Sequence, residues 1–365
     1  MKPHLYMLLV ATLALGSVAG AIHAANVDLE SGTIFGSCVY VDAKYGSAQS
    51  DISPADFAQL DLEPGDLLAI TFDGISLQVP YVYIPGDVPP GSLLAFQYGG
   101  GLFVGLQYGN FVVEYGIEAG MSVEVTLLEK GGYAAELAVQ HLERPTDRAS
   151  YESDEAYANF RMISCGTIAE NRLYRSCHPA SGDSRSPYAA ALMTDAAIRT
   201  VVNVGESPDG LESAYSYNSL YRALGLGGKV LALDLGLVVE GQIFREGAKR
   251  AVEFIAMGEA PFLIHCWEGK DRTGVLAAIL EALLGASLEE IVADYMTTYS
   301  NYYGITANHA LYEDTAGLIV SKLEEMGQGE TVTSENVNAV VERYVLEELG
   351  VSEDVLALLR AVLEP

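Results

Sequence analysis

Ile264-His265-Cys266-Trp267-Glu268-Gly269-Lys270-Asp271-Arg272-Thr273-Gly274 is the stretch whose reading decides the fold of the second half of the chain. The apolar run Pro261-Phe262-Leu263-Ile264 before it reads as a buried strand. Val275-Leu276-Ala277-Ala278-Ile279-Leu280 after it reads as a helix packed on that strand. A cysteine closing a strand, five residues, and an arginine opening a helix together make a device for holding a phosphoryl group. The intervening backbone can curl until its N–H groups converge on one centre, and the helix N-terminus adds partial positive charge. The planar fork of Arg272 can grip two phosphoryl oxygens, which a lysine cannot do in the same way. The same local field favours the thiolate of Cys266, which then faces the phosphorus atom as a nucleophile.

Two other readings of the stretch are weaker. A lone cysteine at a strand end is often only a small buried apolar residue. A nucleotide-binding Walker loop needs glycine five residues before Gly269 and Ser or Thr after the lysine; Ile264 and Asp271 stand there. The segment resembles the phosphate-binding loop of the cysteine-dependent tyrosine phosphatase superfamily, His-Cys, five residues, Arg, then Ser or Thr. The form Gly269-Lys270-Asp271-Arg272-Thr273-Gly274 is similar to that of secreted bacterial phosphatases acting on phosphotyrosine and phosphoinositides. The resemblance extends over about residues 160 to 363, through Tyr174-Arg175-Ser176, Val202-Asn203, Ile291-Val292-Ala293-Asp294-Tyr295-Met296 and the closing segment Tyr344 to Leu363.

The periodicity of residues 161–365 predicts an α/β domain. Strands are expected at Arg172–Ser176, Thr200–Val204, Lys229–Leu235 and Pro261–His265, with helices ending near Arg199 and spanning Ile243–Met257, Leu288–Tyr299, Ser334–Leu349 and Ser352–Leu363. Strands separated by helices argue for a mostly parallel central sheet flanked by helices, with ligands at the carboxyl ends of the strands. Cys266 lies at such an end.

Residues 26–140 are a different kind of polypeptide. Short runs rich in Val, Tyr, Phe and Leu (Thr33–Val41, Leu67–Phe72, Val79–Ile84, Leu93–Gln97, Leu102–Gln107, Phe111–Tyr115, Ser122–Leu128) are broken by Asp73-Gly74, Pro85-Gly86-Asp87, Gly99-Gly100-Gly101 and Tyr108-Gly109-Asn110. They predict a small all-β domain, barrel or sandwich, which resembles an accessory domain ahead of similar bacterial phosphatases. Residues 141–160, with Glu143-Arg144-Pro145-Thr146-Asp147-Arg148, read as a linker.

At the N-terminus Lys2, the apolar run Leu5 to Leu15 and the small residues to Ala25 read as a signal peptide, residues 1–25. The run is short for a membrane span, so a secreted or periplasmic product is expected. The formal net charge of −29 excludes nucleic acid or anionic membrane binding by general electrostatics. Of the four cysteines, Cys38, Cys165, Cys177 and Cys266, the pair Cys165 and Cys177 can join, but spacing does not fix the connectivity.

The resemblance assigns roles. Cys266 is the nucleophile and passes through a cysteinyl-phosphate. Arg272 holds the phosphate and the charge of the transition state. Thr273 donates its hydroxyl to the sulfur, and Trp267, Glu268, Gly269, Lys270, Asp271, Arg272 and Thr273 line the phosphate. His265 orients the loop, and Arg175 supports it from the neighbouring strand. Trp267 stands either at the pocket rim or in the core. Lys270 either reads a second phosphate, as on a phosphoinositide, or is a solvated charge. The proton donor is open between Asp271 and Glu206, with Asp209 and Asp234 next. Glu206 is preferred, because Arg272 should hold Asp271 ionised whereas partial burial should raise the pKa of Glu206. No cofactor or metal is expected, and the partner is a phosphorylated protein or phosphoinositide substrate. The alternative is a phosphatase-like module that only binds phosphorylated ligands.

Overall fold

The computed structural model describes residues 25–42, 46–88 and 91–365. Residues 1–24, most of the expected leader, lie outside the described residues. The first half is built on β1 (Asn26–Asp28), β2 (Thr33–Val41), β3 (Ala48–Ser50), β4 (Leu67–Phe72), β5 (Ile75–Pro80), β6 (Leu93–Tyr98), β7 (Gly101–Leu106) and β8 (Ser122–Glu129). Their order is β5-β4-β8-β2-β3-β7-β6, with β1 beside β2, and all neighbours are antiparallel. A bridge from Tyr81 to Ala95 brings the two edges together, so the sheet is nearly a closed barrel. Alternate residues fill it: Leu68, Ile70 and Phe72 from β4 meet Val123 and Val125 from β8. Asp73 and Gly74 both take positive φ, the twist a two-residue hairpin between β4 and β5 requires.

Three expectations change in this half. Phe111–Tyr115 is a helical turn, not a strand: the Asn110 side chain caps its start through Val113 N–H, and Gly116 ends it in the left-handed region. The run expected to extend to Ile84 stops at Pro80, and Pro85–Asp87 is a 3-10 turn. Helices Pro54–Gln59 and Ala134–Gln140 also stand here, so the region is β-rich and not all-β.

The second sheet contains β9 (Arg161–Met162), β10 (Leu173–Ser176), β11 (Thr200–Asn203), β12 (Val230–Ala232) and β13 (Phe262–His265), in the order β12-β11-β13-β10-β9. The pairings β12/β11, β11/β13 and β13/β10 are parallel, and β9 is antiparallel. The fold is thus mixed α/β, with its larger sheet antiparallel and its parallel pairings confined to this smaller one. Successive residues of β11 and β13 face opposite cores. Val202, Phe262 and Ile264 pack with helices Gln242–Ala256 and Asp271–Leu283, while Val201 and Leu263 pack with Ser186–Asp195 and Ser219–Leu226.

Residues 141–160 have structure of their own. Tyr151 and Tyr157 are buried against Tyr302 of helix Leu288–Tyr303, and Val139, just upstream, belongs to the larger core of the second half. The Cys165 and Cys177 thiols are both free, so the pairing that the sequence left open is not made.

Candidate active site

β13 lies between β11 and β10, with His265 in register with Asn203 on one side and Ser176 on the other. Cys266 follows, buried at the carboxyl end of the sheet, and the helix begins at Asp271. Between them every carbonyl is engaged from behind. The Cys266 carbonyl accepts from His265 Nδ1 (3.2 Å), that of Trp267 from His178 N–H (3.1 Å) and that of Glu268 from the Tyr302 hydroxyl (3.0 Å). The Gly269 carbonyl accepts from Arg175 Nη2 (2.8 Å) and Asn159 Nδ2 (3.1 Å), and that of Lys270 from Arg175 Nη2 (3.3 Å). In a trans peptide the N–H points opposite the carbonyl. Five carbonyls turned outward therefore turn the loop N–H groups inward, onto the space above Cys266.

Glycine is required where the loop meets the sheet. Gly269 has φ +69°, and a Cβ there would overlap the carbonyl of Ser176 at the end of β10. A Cβ on Gly274 would stand 2.8 Å from the Tyr295 ring. Gly205, after β11, is the opposite wall: its Cβ would lie 3.0 Å from the Cys266 Cα. The Gly205 carbonyl accepts from Trp267 Nε1 (3.0 Å) and Arg272 Nη1 (3.1 Å). Trp267 is 52% exposed, a rim residue with its ring against His178. The hydroxyl of buried Thr273 has no partner among the described residues.

The acid candidates separate sharply. Asp271 stands at the loop's helical end, crowded by protein yet 40% accessible. Burial raises its carboxyl pKa more than Lys270 and Arg272 lower it. The direction is opposite to the lowering by Arg272 that the sequence suggested. Glu206 also reverses its expectation. Burial pushes its pKa up, but hydrogen bonds from His178 Nε2 (3.0 Å) and Asn203 Nδ2 (2.9 Å) outweigh burial and hold it below the usual range. Ala180 N–H donates to His178 Nδ1, which leaves the proton on Nε2 to point at Glu206. Asp209 is exposed on a 3-10 turn, and Asp234, after β12, is 2.9 Å from Arg272 Nη1.

His265 is fully buried and neutral: burial and then the neighbouring His178 put its pKa well below the ordinary value. Its Nδ1 proton serves the Cys266 carbonyl, and Nε2 accepts from the Tyr221 hydroxyl at 3.1 Å. Beneath the loop, Asp294 joins Arg175 and Arg161, the latter at 2.7 Å through Nε. Arg161 also holds Asn159 through its Oδ1 at 2.6 Å. Asn159, Arg161, His178, Tyr221 and Tyr302 are the supporting residues that the sequence did not single out. Tyr174-Arg175-Ser176, already marked as a strand, was the one signal that pointed toward His178, two residues beyond it.

Residues 236–364 match the tyrosine phosphatase family. The match covers about a third of the chain, and that stretch is similar to the tyrosine-phosphatase type. A stretch of 56 residues is 45% identical to the triple specificity protein phosphatase PtpB of Mycobacterium tuberculosis, covering 14% of this chain and 20% of that protein. The chain thus spans about a fifth of the length of that curated relative. Among solved structures, the core catalytic domain of a PP-IP phosphatase from S. cerevisiae is 18% identical over 48% of this chain and 96% of its own, with a TM-score of 0.27. An uncharacterized conserved protein from Thermotoga maritima is 20% identical over 28% of this chain and 38% of its own, with a TM-score of 0.26. These last two overlaps are too low to add to the loop and the family match.

Proposed function

We propose that this chain is an exported, metal-independent phosphatase that hydrolyses phosphotyrosine through a cysteinyl-phosphate, with phosphoinositide monoesters as a second substrate class. The observation that carries the reading is the set of five engaged carbonyls, Cys266 to Lys270, which leaves the N–H groups of the loop on the opposite side of their peptides, free to meet a phosphoryl group. Such a cradle stabilises the equatorial oxygens of a phosphoryl group in transfer. In the first step the Cys266 sulfur bonds to phosphorus as the bond to the tyrosyl oxygen breaks. The Asp271 carboxyl, its pKa raised by burial, gives that oxygen its proton. Arg272 exchanges its exposed partner Asp234 for two phosphoryl oxygens. In the second step Asp271, now ionised, takes a proton from water as the water oxygen bonds to phosphorus. The sulfur departs as thiolate, and inorganic phosphate leaves; the hydrogen bond from Thr273 to the sulfur expected from sequence is not made among the described residues.

Export rests on the leader-like residues 1–25. The second substrate class is supported by the name of the mycobacterial relative, a triple specificity phosphatase. Turnover of p-nitrophenyl phosphate and of a phosphotyrosine peptide by the wild type and Cys266→Ser tests the reading. Activity lost in Cys266→Ser with vanadate binding retained supports it; activity retained overturns it. Absence of turnover by the wild type, with phosphate still bound, would instead make the domain a binding module.

A further inference from the structure

The loop carries a carboxylate where a phosphate-binding site would least be expected to have one. Glu268 Oε1 is 3.2 Å from Arg144 Nη2, and Glu268 Oε2 is 3.8 Å from Lys270 Nζ. One carboxylate of the loop thus stands between two cations, each oxygen turned to a different one. Lys270 is otherwise enclosed. Its Nζ faces the rings of Tyr299 and Tyr303 at 5.7 and 5.6 Å, and Asp271 is its second carboxylate at 3.8 Å. Arg144 lies over the Tyr302 ring at 4.6 Å. Two cations, Arg144 and Lys270, thus share the one carboxylate of Glu268, with the Asp271 carboxyl beside Lys270.

We infer that Glu268 is a specificity-determining residue: its carboxylate occupies the place that a second phosphate would take between Arg144 and Lys270, so the site selects singly phosphorylated ligands. The inference rests on the phosphatase reading of the same loop and sets the limit of its second substrate class. A second phosphate must displace Glu268 from both cations, and the displaced charge, tethered beside it, repels the newcomer. A ligand with one phosphate uses only the amide cradle and Arg272 and leaves the rim alone. The loop does not depend on the Glu268 side chain for its shape. Its backbone is held by Tyr302, Asn159 and Arg175 through carbonyls.

The test is competitive inhibition of p-nitrophenyl phosphate hydrolysis by inositol 4,5-bisphosphate and by inositol 4-monophosphate, in the full chain. In the wild type the two inhibition constants should be similar. Glu268→Gln should lower the constant of the bisphosphate about tenfold relative to the monophosphate, the worth of roughly one charge-assisted hydrogen bond. Adding Lys270→Ala and Arg144→Ala to Glu268→Gln should take that gain back. A bisphosphate-to-monophosphate ratio unchanged by Glu268→Gln overturns the inference, as does a gain that survives loss of both cations. Either result would leave the phosphatase reading intact, whereas a wild type inert on p-nitrophenyl phosphate and blind to both inositol phosphates would remove that reading itself.

Discussion

Arg272 Nη1 lies 2.9 Å from Oδ1 of Asp234, a carboxylate 66% exposed on the loop that follows β12. The guanidinium that would grip the phosphoryl group is therefore anchored from outside the cradle by a competing anion. An ion pair this open to water contributes at most about 1 kcal/mol, so a phosphate can displace it. Asp234→Asn should tighten inhibition by orthophosphate about three- to fivefold, that fraction of a kcal/mol being returned to the ligand. Turnover of a phosphotyrosine peptide should hold steady. A collapse of turnover on the peptide with p-nitrophenyl phosphate spared would make Asp234 the proton donor instead.

Asp271 is the donor in the proposed mechanism, and the leaving group exposes it. A nitrophenolate departs without a proton; a tyrosyl oxygen does not. Asp271→Asn should slow the phosphotyrosine peptide by roughly 10²–10³ and p-nitrophenyl phosphate by less than about tenfold. The active form is the protonated acid, and burial raises its pKa. Rate on the peptide should therefore persist above the ordinary aspartic acid range and fall as pH rises through the raised value. Asp271→Asn should flatten that alkaline limb, and Glu206→Gln should leave it in place.

The order of these two acids illustrates what sequence could and could not give. Cys266 to Thr273 are contiguous, so their convergence was legible from spacing alone. The parallel run of β10, β11 and β13 was likewise written in alternating apolar segments. Burial is a property of the folded chain and was not legible. Asp271 beside Arg272 reads as a stabilised anion along the chain, yet in space the surrounding protein outweighs the arginine. Glu206 reads as a loop carboxylate whose pKa partial burial should raise, until His178, 28 positions upstream, is found donating to it. Asn159 reaches the Gly269 carbonyl from 110 positions upstream, and Tyr302 reaches that of Glu268 from 34 positions downstream. Only tertiary packing brings them there. Phe111–Tyr115 failed for a local reason: its apolar residues fit a strand, and the cap at Asn110 was read as a turn.

The fork of Arg272 matters more than its charge. Arg272→Lys keeps a cation but cannot hold two oxygens in one plane. It should lower turnover by about 10² or more on both aryl phosphates, because transition-state charge is common to them. Excess chelator should leave the wild-type rate unchanged. Among the described residues no three His, Cys, Asp or Glu are grouped to hold a metal ion. A rate restored by lysine, or lost to chelator, would require a different mechanism.

Glu281 lies in the helix that the loop opens, almost fully buried, and its Oε1 has no hydrogen-bond partner among the described residues. Burial, then the charge of Asp294, raises its pKa well above the ordinary carboxylate value, with Arg175 and Arg161 opposing. Asp294 goes the other way: burial is outweighed by those same two arginines, which keep it ionised. Folding therefore favours the proton on Glu281, whereas the unfolded chain ionises it above about pH 4.3. The stability tied to that proton is complete below the unfolded value and is lost as pH rises toward the folded one. Glu281→Gln keeps the shape and needs no proton. It should raise the melting temperature at pH 8. The gain should shrink at pH 6 and vanish near pH 4. Thermal melts at those three pH values decide it. A variant less stable than the wild type at pH 8 would mean that Glu281 is ionised and paired with Arg161 and Arg175, and that the buried cluster under the phosphate loop carries two anions against two cations.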